Sequence, residues 1–172
     1  AVHNLHRQPL YLFKDIGQSK SALAVQRLRA LNPFISVRAH QEKLTPANAV
    51  RISRTYDLIL DCTDNFKTKF LLNDVAILRK IPLIQASIYR LEGQMRFLNP
   101  ARTNACLRCL WPQIPTDDCI ETCVQGGTLG VVPGVFGIFQ ATEAIKFILG
   151  LPGLLSGEVL IFDLMTYATK RI

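Results

Sequence analysis

The stretch from Tyr56 to Ser87 limits what this chain can fold into more than any other. An apolar run, Tyr56-Asp57-Leu58-Ile59-Leu60, reads as a strand and gives way to Asp61-Cys62-Thr63-Asp64-Asn65. A helical pattern follows from Phe66 to Arg79, and Pro82-Leu83-Ile84-Gln85-Ala86-Ser87 reads as the next strand. Strand, helix and strand in that order indicate a parallel pair joined by a right-handed crossover. In such sheets ligands bind beyond the carboxyl ends of the strands, where the polar run from Asp61 to Asn65 falls. Thr63, Asp64 and Asn65 are also residue types that cap helices, so the run has a purely structural reading as well.

The flanks extend the pattern. A helix is expected from about Gln18 to Leu31, closed by Asn32-Pro33. Ile35-Ser36-Val37-Arg38-Ala39 reads as a strand and Pro46 to Arg54 as a short helix. Gly93 to Leu98 follows Ser87 too closely for a crossover helix and should pair antiparallel. A helix from about Pro133 to Leu149 and two strands, Glu158–Asp163 and Tyr167–Ile172, close the chain. The expected architecture is α/β: a Rossmann-like parallel sheet continued by antiparallel strands. With 172 residues, 49% of them apolar and 19% charged, one domain with a sizeable core is expected. Continuous apolar stretches such as Gly134 to Phe139 are too short to span a bilayer. With no signal-like start, a cytoplasmic location is expected.

The net charge is +7, but its lysines and arginines are scattered and no aromatics alternate with them, so nucleic-acid binding has no support. Five cysteines, an odd number, argue against a disulfide framework. Cys106-Leu107-Arg108-Cys109 has the spacing of a zinc knuckle. A redox pair is the alternative, disfavoured by the irregular segment around Trp111-Pro112. Cys119 and Cys123 could complete four ligands, or a second pair could lie past Ile172. Cys62 is expected to be a small buried packing residue. Arg96 is expected to face out from its strand, and Glu143 with Lys146 to form a surface pair or a cap on the sheet. Lys20 opens a helix, where its charge opposes the helix dipole unless an anion sits nearby. No G-x-G-x-x-G occurs, which disfavours a dinucleotide-dependent oxidoreductase.

Five motifs in order carry a resemblance: Asn4-Leu5-His6-Arg7-Gln8, Asp61 to Asn65, Glu92-Gly93-Gln94, the Cys106 pair, and Gln140-Ala141-Thr142-Glu143-Ala144-Ile145-Lys146. With them the chain resembles the ThiF/MoeB/HesA family of ubiquitin-activating-type adenylyltransferases over its whole length. The resemblance implies adenylylation, by MgATP, of the carboxyl-terminal glycine of a ubiquitin-like sulfur-carrier protein of ThiS or MoaD type. Sulfur then arrives from a donor such as a cysteine desulfurase or rhodanese, in thiamin or molybdopterin biosynthesis. It further implies that Asn4 and Arg7 hold the triphosphate, Lys20 a phosphate, and Asp64, with Asn65 beside it, the Mg2+ ion. Arg7, Lys20 and Asp64 are thus expected to serve one MgATP. Cys123 matches a cysteine that joins the carrier in some members, and Cys106 with Cys109 the first half of a Zn2+ site. A homodimer is implied too. The family's glycine-rich nucleotide loop should precede residue 1 and the second zinc pair should follow Ile172, so the domain is expected to be incomplete at both ends. A carrier-binding module that has lost catalysis is the competing reading.

Overall fold

The structure is a computed structural model and describes residues 2–102, 105–115 and 127–172. It divides into two compact units, Ala1–Lys43 and Leu44–Ile172.

In the first unit, single turns at Val2–Asn4 and Phe13–Asp15 precede helix α1, Lys20–Leu31. Ser19 caps α1 by accepting the Ala22 amide at 3.4 Å. Asp15 is the buried hub here: it accepts the Leu12 amide at 2.6 Å and pairs with Arg27 of α1. The Leu12 amide, more than the Arg27 guanidinium, keeps its carboxyl below the usual range. Ile35–Ala39 is not a strand, contrary to its β-branched alternation. A strand exists only where a neighbour takes its backbone hydrogen bonds, and no described strand pairs with this segment.

The second unit holds α2 (Pro46–Ser53), β1 (Ile59–Asp61), α3 (Phe66–Arg79), β2 (Leu83–Tyr89), β3 (Glu92–Leu98), α4 (Leu107–Leu110), α5 (Val131–Ile148), β4 (Val159–Asp163) and β5 (Thr169–Arg171). Pro46 starts α2 where a missing amide costs nothing. Lys80 ends α3 in the left-handed region, φ 56°, its amide closing on Ala76 and Ile77. The five strands lie in the order β1-β2-β3-β4-β5. Only β1 and β2 are parallel, Ile59 opposite Leu83; the rest pair antiparallel. The expected succession of parallel and antiparallel strands is therefore present, with β1 at the edge of the sheet.

Both faces of the sheet are covered. Ile84, Met95 and Phe97 point to α5 and pack with Val132, Phe136 and Ala144. Leu83 and Leu98 point to α3 and meet Ala76, with Cys106 alongside. This double cover overturns two expectations. Arg96 shares its face with Leu98, so it is buried under α3 and α4 rather than outward-facing, at 8% exposure. Glu143 follows Val132, Phe136 and Gln140 on the inner stripe of α5 and is buried, not part of a surface pair. Its carboxylate accepts Lys146 Nζ at 2.9 Å and the Leu155 amide, tying α5 to the segment before β4.

Among the described residues, α5 is the one helix long and apolar enough to cross a membrane by length and composition. One stripe of it packs on the sheet and carries the bonded Gln140 and Glu143, while Val131, Ile138, Ile145 and Ile148 are exposed.

Where α5 crosses the sheet, β3 carries Gly93. A Cβ built there would lie 2.2 Å from the buried Phe136 ring. Gly93→Ala is thus expected to destabilise the chain by about 1–3 kcal/mol. Gly137→Ala on the same helix meets nothing within 4 Å and gains helix propensity, so it should be neutral or stabilising. Urea unfolding of the two variants tests the contrast.

Candidate functional site

Site residues implied by the resemblance fall in both units. In the first, Asn4 ends the opening turn and accepts Arg7 Nη2 at 2.6 Å, while Arg7 Nη1 reaches the His3 carbonyl at 3.3 Å. The guanidinium is tied down locally, in a loop. Such a fork matches two oxygens of one phosphate. Lys20 is the first residue of α1, and no acidic residue shares its turn. Its ammonium lies 6.0 Å from the Tyr11 ring centroid, and the Tyr11 hydroxyl donates to the Lys20 carbonyl at 3.2 Å.

In the second unit, β1 ends at Asp61, which is wholly buried. One carboxylate oxygen accepts the Thr63 amide at 2.9 Å and the Thr63 hydroxyl at 2.6 Å. The other accepts Lys69 Nζ at 3.1 Å and Gln85 Nε2 at 3.2 Å. Lys69 also donates to the Ala86 carbonyl at 2.6 Å. From α5, Gln140 donates to the backbone carbonyls of Asp61 and Ile84 at 2.9 and 3.3 Å. The turn after β1 is thus held from β2, α3 and α5 at once. It carries Asp64, which is exposed, past the end of a parallel strand.

Of the three residues that could cap α3, only Asn65 does so, its oxygen accepting the Thr68 amide at 2.8 Å. Thr63 is committed to Asp61 instead. The polar run therefore divides its labour: Asp61 and Thr63 build the turn, Asn65 starts the helix, and Asp64 is left facing solvent. Sequence reasoning missed the Asp61–Lys69–Gln85 network. The spacing of Asp61 and Lys69, one at a strand end and one a turn into the next helix, was the available signal. Cys62 is exposed rather than buried, because β1 has ended before it. Its sulfur lies 3.7 Å from Gln140 Oε1. Desolvation of the thiol, then the Asp61 charge, push its pKa up, which makes it a poor nucleophile.

Cys106 stands just before the single turn of α4, and its Sγ lies 3.8 Å from that of Cys109. That is too long for a disulfide. A tetrahedron of Zn–S bonds of about 2.3 Å sets two sulfurs about 3.8 Å apart, so the pair fits one edge of a zinc site. Burial raises the Cys106 pKa, but the amides of Cys109 and Arg108 and side-chain bonds from Cys109 and Asn73 outweigh it, and the net shift is downward. α3 holds the knuckle in place: Asn73 Oδ1 accepts the Leu107 amide at 2.8 Å, and Asp74 takes Arg108 through two bonds of 2.7 Å. Among the described residues no third His, Cys, Asp or Glu joins the two cysteines. Cys119 and Cys123 lie outside the described residues.

The sheet begins parallel and turns antiparallel, with an acidic turn past β1 and a cysteine knuckle on one face, an α/β architecture of ubiquitin-activating type. The chain belongs to the ThiF family, whose model matches residues 1–172. It is 40% identical over 175 residues to a sulfur carrier protein adenylyltransferase of Thermus thermophilus, covering 99% of this chain and 65% of that protein. It is 44% identical over 160 residues to an adenylyltransferase and sulfurtransferase MOCS3 of Culex quinquefasciatus, covering 93% of this chain and 36% of that one. The chain thus spans between about a third and two thirds of these relatives' length. The fold matches E. coli MccB crystallised with ATP at a TM-score of 0.80 and 18% identity, over 100% of this chain and 52% of that one. A second MccB structure, with MccA-N7isoASN, gives 0.82 at 18% identity, over 100% and 54%.

Proposed function

We propose that this chain carries part of the machinery of an ATP-dependent adenylyltransferase acting on the carboxyl-terminal glycine of a ubiquitin-like sulfur-carrier protein of ThiS or MoaD type. The observation that carries the reading is the exposed Asp64 carboxylate, presented past the carboxyl end of β1 by a turn that the buried Asp61 holds rigid. A hard cation needs one or two carboxylates together with phosphate oxygens and water, and Asp64 is such a ligand for Mg2+. Bound magnesium would neutralise charge on the triphosphate. Family membership and the relatives' names support the substrate class.

The other roles follow from the resemblance, residue by residue. Asn4 and Arg7 hold the triphosphate, Lys20 takes a phosphate, and Asn65 stands beside the magnesium ligand while capping α3. Cys106 and Cys109 supply two thiolates to Zn2+, in keeping with their 3.8 Å separation. Cys123 is the residue that joins the carrier, a cysteine desulfurase or rhodanese supplies the sulfur, and the working form is a homodimer. Thiamin or molybdopterin biosynthesis is the setting for such a thiocarboxylate, in the cytoplasm.

The test is ATP–pyrophosphate exchange by the full-length protein with a carrier ending in glycine. Carrier-dependent exchange supports the reading; carrier binding without exchange replaces it with a non-catalytic module. Lys20→Ala is expected to raise the KM for ATP about tenfold or more, the loss of a charge-assisted bond to phosphate. Initial rates of exchange against ATP concentration check this.

A further inference from the structure

Between β2, β3 and the helices α3 and α4 lies a cavity of about 190 Å³, smaller than the ~300–1,000 Å³ of pockets that take drug-sized ligands. Phe66 of α3 with Leu107 and Leu110 of α4 give it apolar walls, and Trp111 stands beside them. Leu110 and Trp111 are each 44% exposed and make its solvent-facing rim.

The floor is polar. Gln85 of β2 and Arg96 of β3 stand directly opposite each other in the sheet, and both line the cavity while being only 4% and 8% exposed. Each keeps one buried atom without a hydrogen-bond partner among the described residues: Gln85 Oε1, an acceptor, and Arg96 Nη1, a donor. Their other ends are committed. Gln85 Nε2 donates to Asp61 at 3.2 Å and to the Lys69 carbonyl at 3.0 Å, two acceptors that fix which end of the amide faces them. Arg96 Nη2 donates to the Ala105 carbonyl at 3.0 Å. No carboxylate pairs with Arg96 among the described ion pairs. Lys69 also lines the cavity, but its ammonium is taken up by Asp61 and the Ala86 carbonyl. A buried idle acceptor beside a buried idle cation is costly unless a ligand or water meets both.

Apolar walls around a few convergent polar groups are the form of a small-molecule site. Arg96 calls for an anion, and one free Nη1 among apolar walls suits a carboxylate on an apolar body better than a phosphate, which needs several donors. Gln85 calls for a donor next to that carboxylate. Beside Arg96 and Lys69 a neutral hydroxyl meets the need without the like-charge repulsion an ammonium would feel. We propose that this cavity binds a small α-hydroxy carboxylate with an aliphatic side chain. The carboxylate accepts from Arg96 Nη1, the hydroxyl donates to Gln85 Oε1, and the side chain packs against Phe66, Leu107 and Leu110. Asn4, Arg7, Lys20 and Asp64 are not among the lining residues, so the proposal stands independently of the adenylyltransferase reading.

Trp111 is the chain's single tryptophan and borders the cavity, so its fluorescence reports occupancy. The full chain is titrated with α-hydroxyisocaproate, with isocaproate, which lacks the hydroxyl, and with α-hydroxyisocaproamide, which lacks the charge. The hydroxy acid is expected to give a saturable change. Isocaproate should bind about fivefold or more weakly and the amide about tenfold or more weakly, the losses of a neutral and of a charge-assisted hydrogen bond. Arg96→Met is expected to bind the hydroxy acid and its amide within about threefold of each other, because the preference for charge resides in Arg96. A merely structural role for Arg96 would leave that preference in place. No saturable change with α-hydroxyisocaproate overturns the proposal and leaves water as the partner of both idle atoms. Equal affinity for the acid and the amide overturns it too, as does isocaproate binding as tightly as the hydroxy acid, or a preference for the acid that survives in Arg96→Met. Circular dichroism checks the fold of the variant; should Arg96→Met fail to fold, the three probes on the parent chain decide.

Discussion

Asp64→Asn is expected to lower carrier-dependent ATP–pyrophosphate exchange by about 10²- to 10³-fold while leaving the urea midpoint unchanged. The size is that of removing one electrostatic stabiliser from a site where charge develops on phosphate. Asn preserves the shape and one oxygen and deletes the charge, which is what a magnesium ligand contributes. The stability half of the prediction follows from position. Asp64 is exposed, the fold of the turn depends on Asp61 and Thr63, and the helix cap depends on Asn65. Measuring exchange and unfolding on the same preparation separates the roles. A variant with parent-like exchange would remove Asp64 from the magnesium site and, with it, the observation on which the enzymatic reading stands.

That separation is sharper than the sequence alone allowed. Three capping types in a row, Thr63, Asp64 and Asn65, cannot be told apart by type, because all three satisfy orphan amides and Asp and Asn do so about equally well. Only the geometry shows Asn65 at the cap, Thr63 folded back on Asp61, and Asp64 outside both tasks. The periodic parts of the chain were more legible. α3 spans Phe66–Arg79 as its pattern indicates, and the short link from Ser87 to Gly93 forces the antiparallel β2–β3 pair. The misplacements share one cause. Arg96, Glu143 and Ile35–Ala39 were read from residue type along one segment, whereas burial and pairing are set by what lies across from it. Arg96 had a signal in Leu98, two residues on and on the same face. Glu143 had one in Phe136 and Gln140, two turns and one turn earlier on α5. For Ile35–Ala39 no local signal exists, since strand pairing belongs to the partner as much as to the segment. The resemblance supplied Asn4, Arg7 and the role of Cys123, to which periodicity has no access, whereas Lys20 at a helix start and the Cys106–Cys109 spacing carried signals of their own.

The second large effect lies beneath the turn. Asp61 is wholly buried and Lys69 nearly so, with side-chain exposures of 0% and 8%. Lys69→Met is expected to destabilise the chain by about 3–5 kcal/mol, because it strands a carboxylate in the interior rather than because the pair itself is worth that much. Asp61 would keep Thr63 and Gln85 as donors, so the loss should fall at the lower end of that range. Asp61→Leu alone should be at least as damaging, since it frees the Lys69 ammonium and unmakes the Thr63 turn together. The pair changed at once, Asp61→Leu with Lys69→Met, leaves no unpaired charge and should recover part of the stability, giving a coupling of about 1–3 kcal/mol in a double-mutant cycle read from urea unfolding. It should not recover exchange activity: Thr63 would have lost its anchor, and the loop that aims Asp64 would no longer be fixed. Stability restored without activity is the signature of a network whose second duty is to point one exposed carboxylate. Additive single-variant losses would show instead that Asp61 and Lys69 act independently, with Thr63 and Gln85 sufficient to hold the turn.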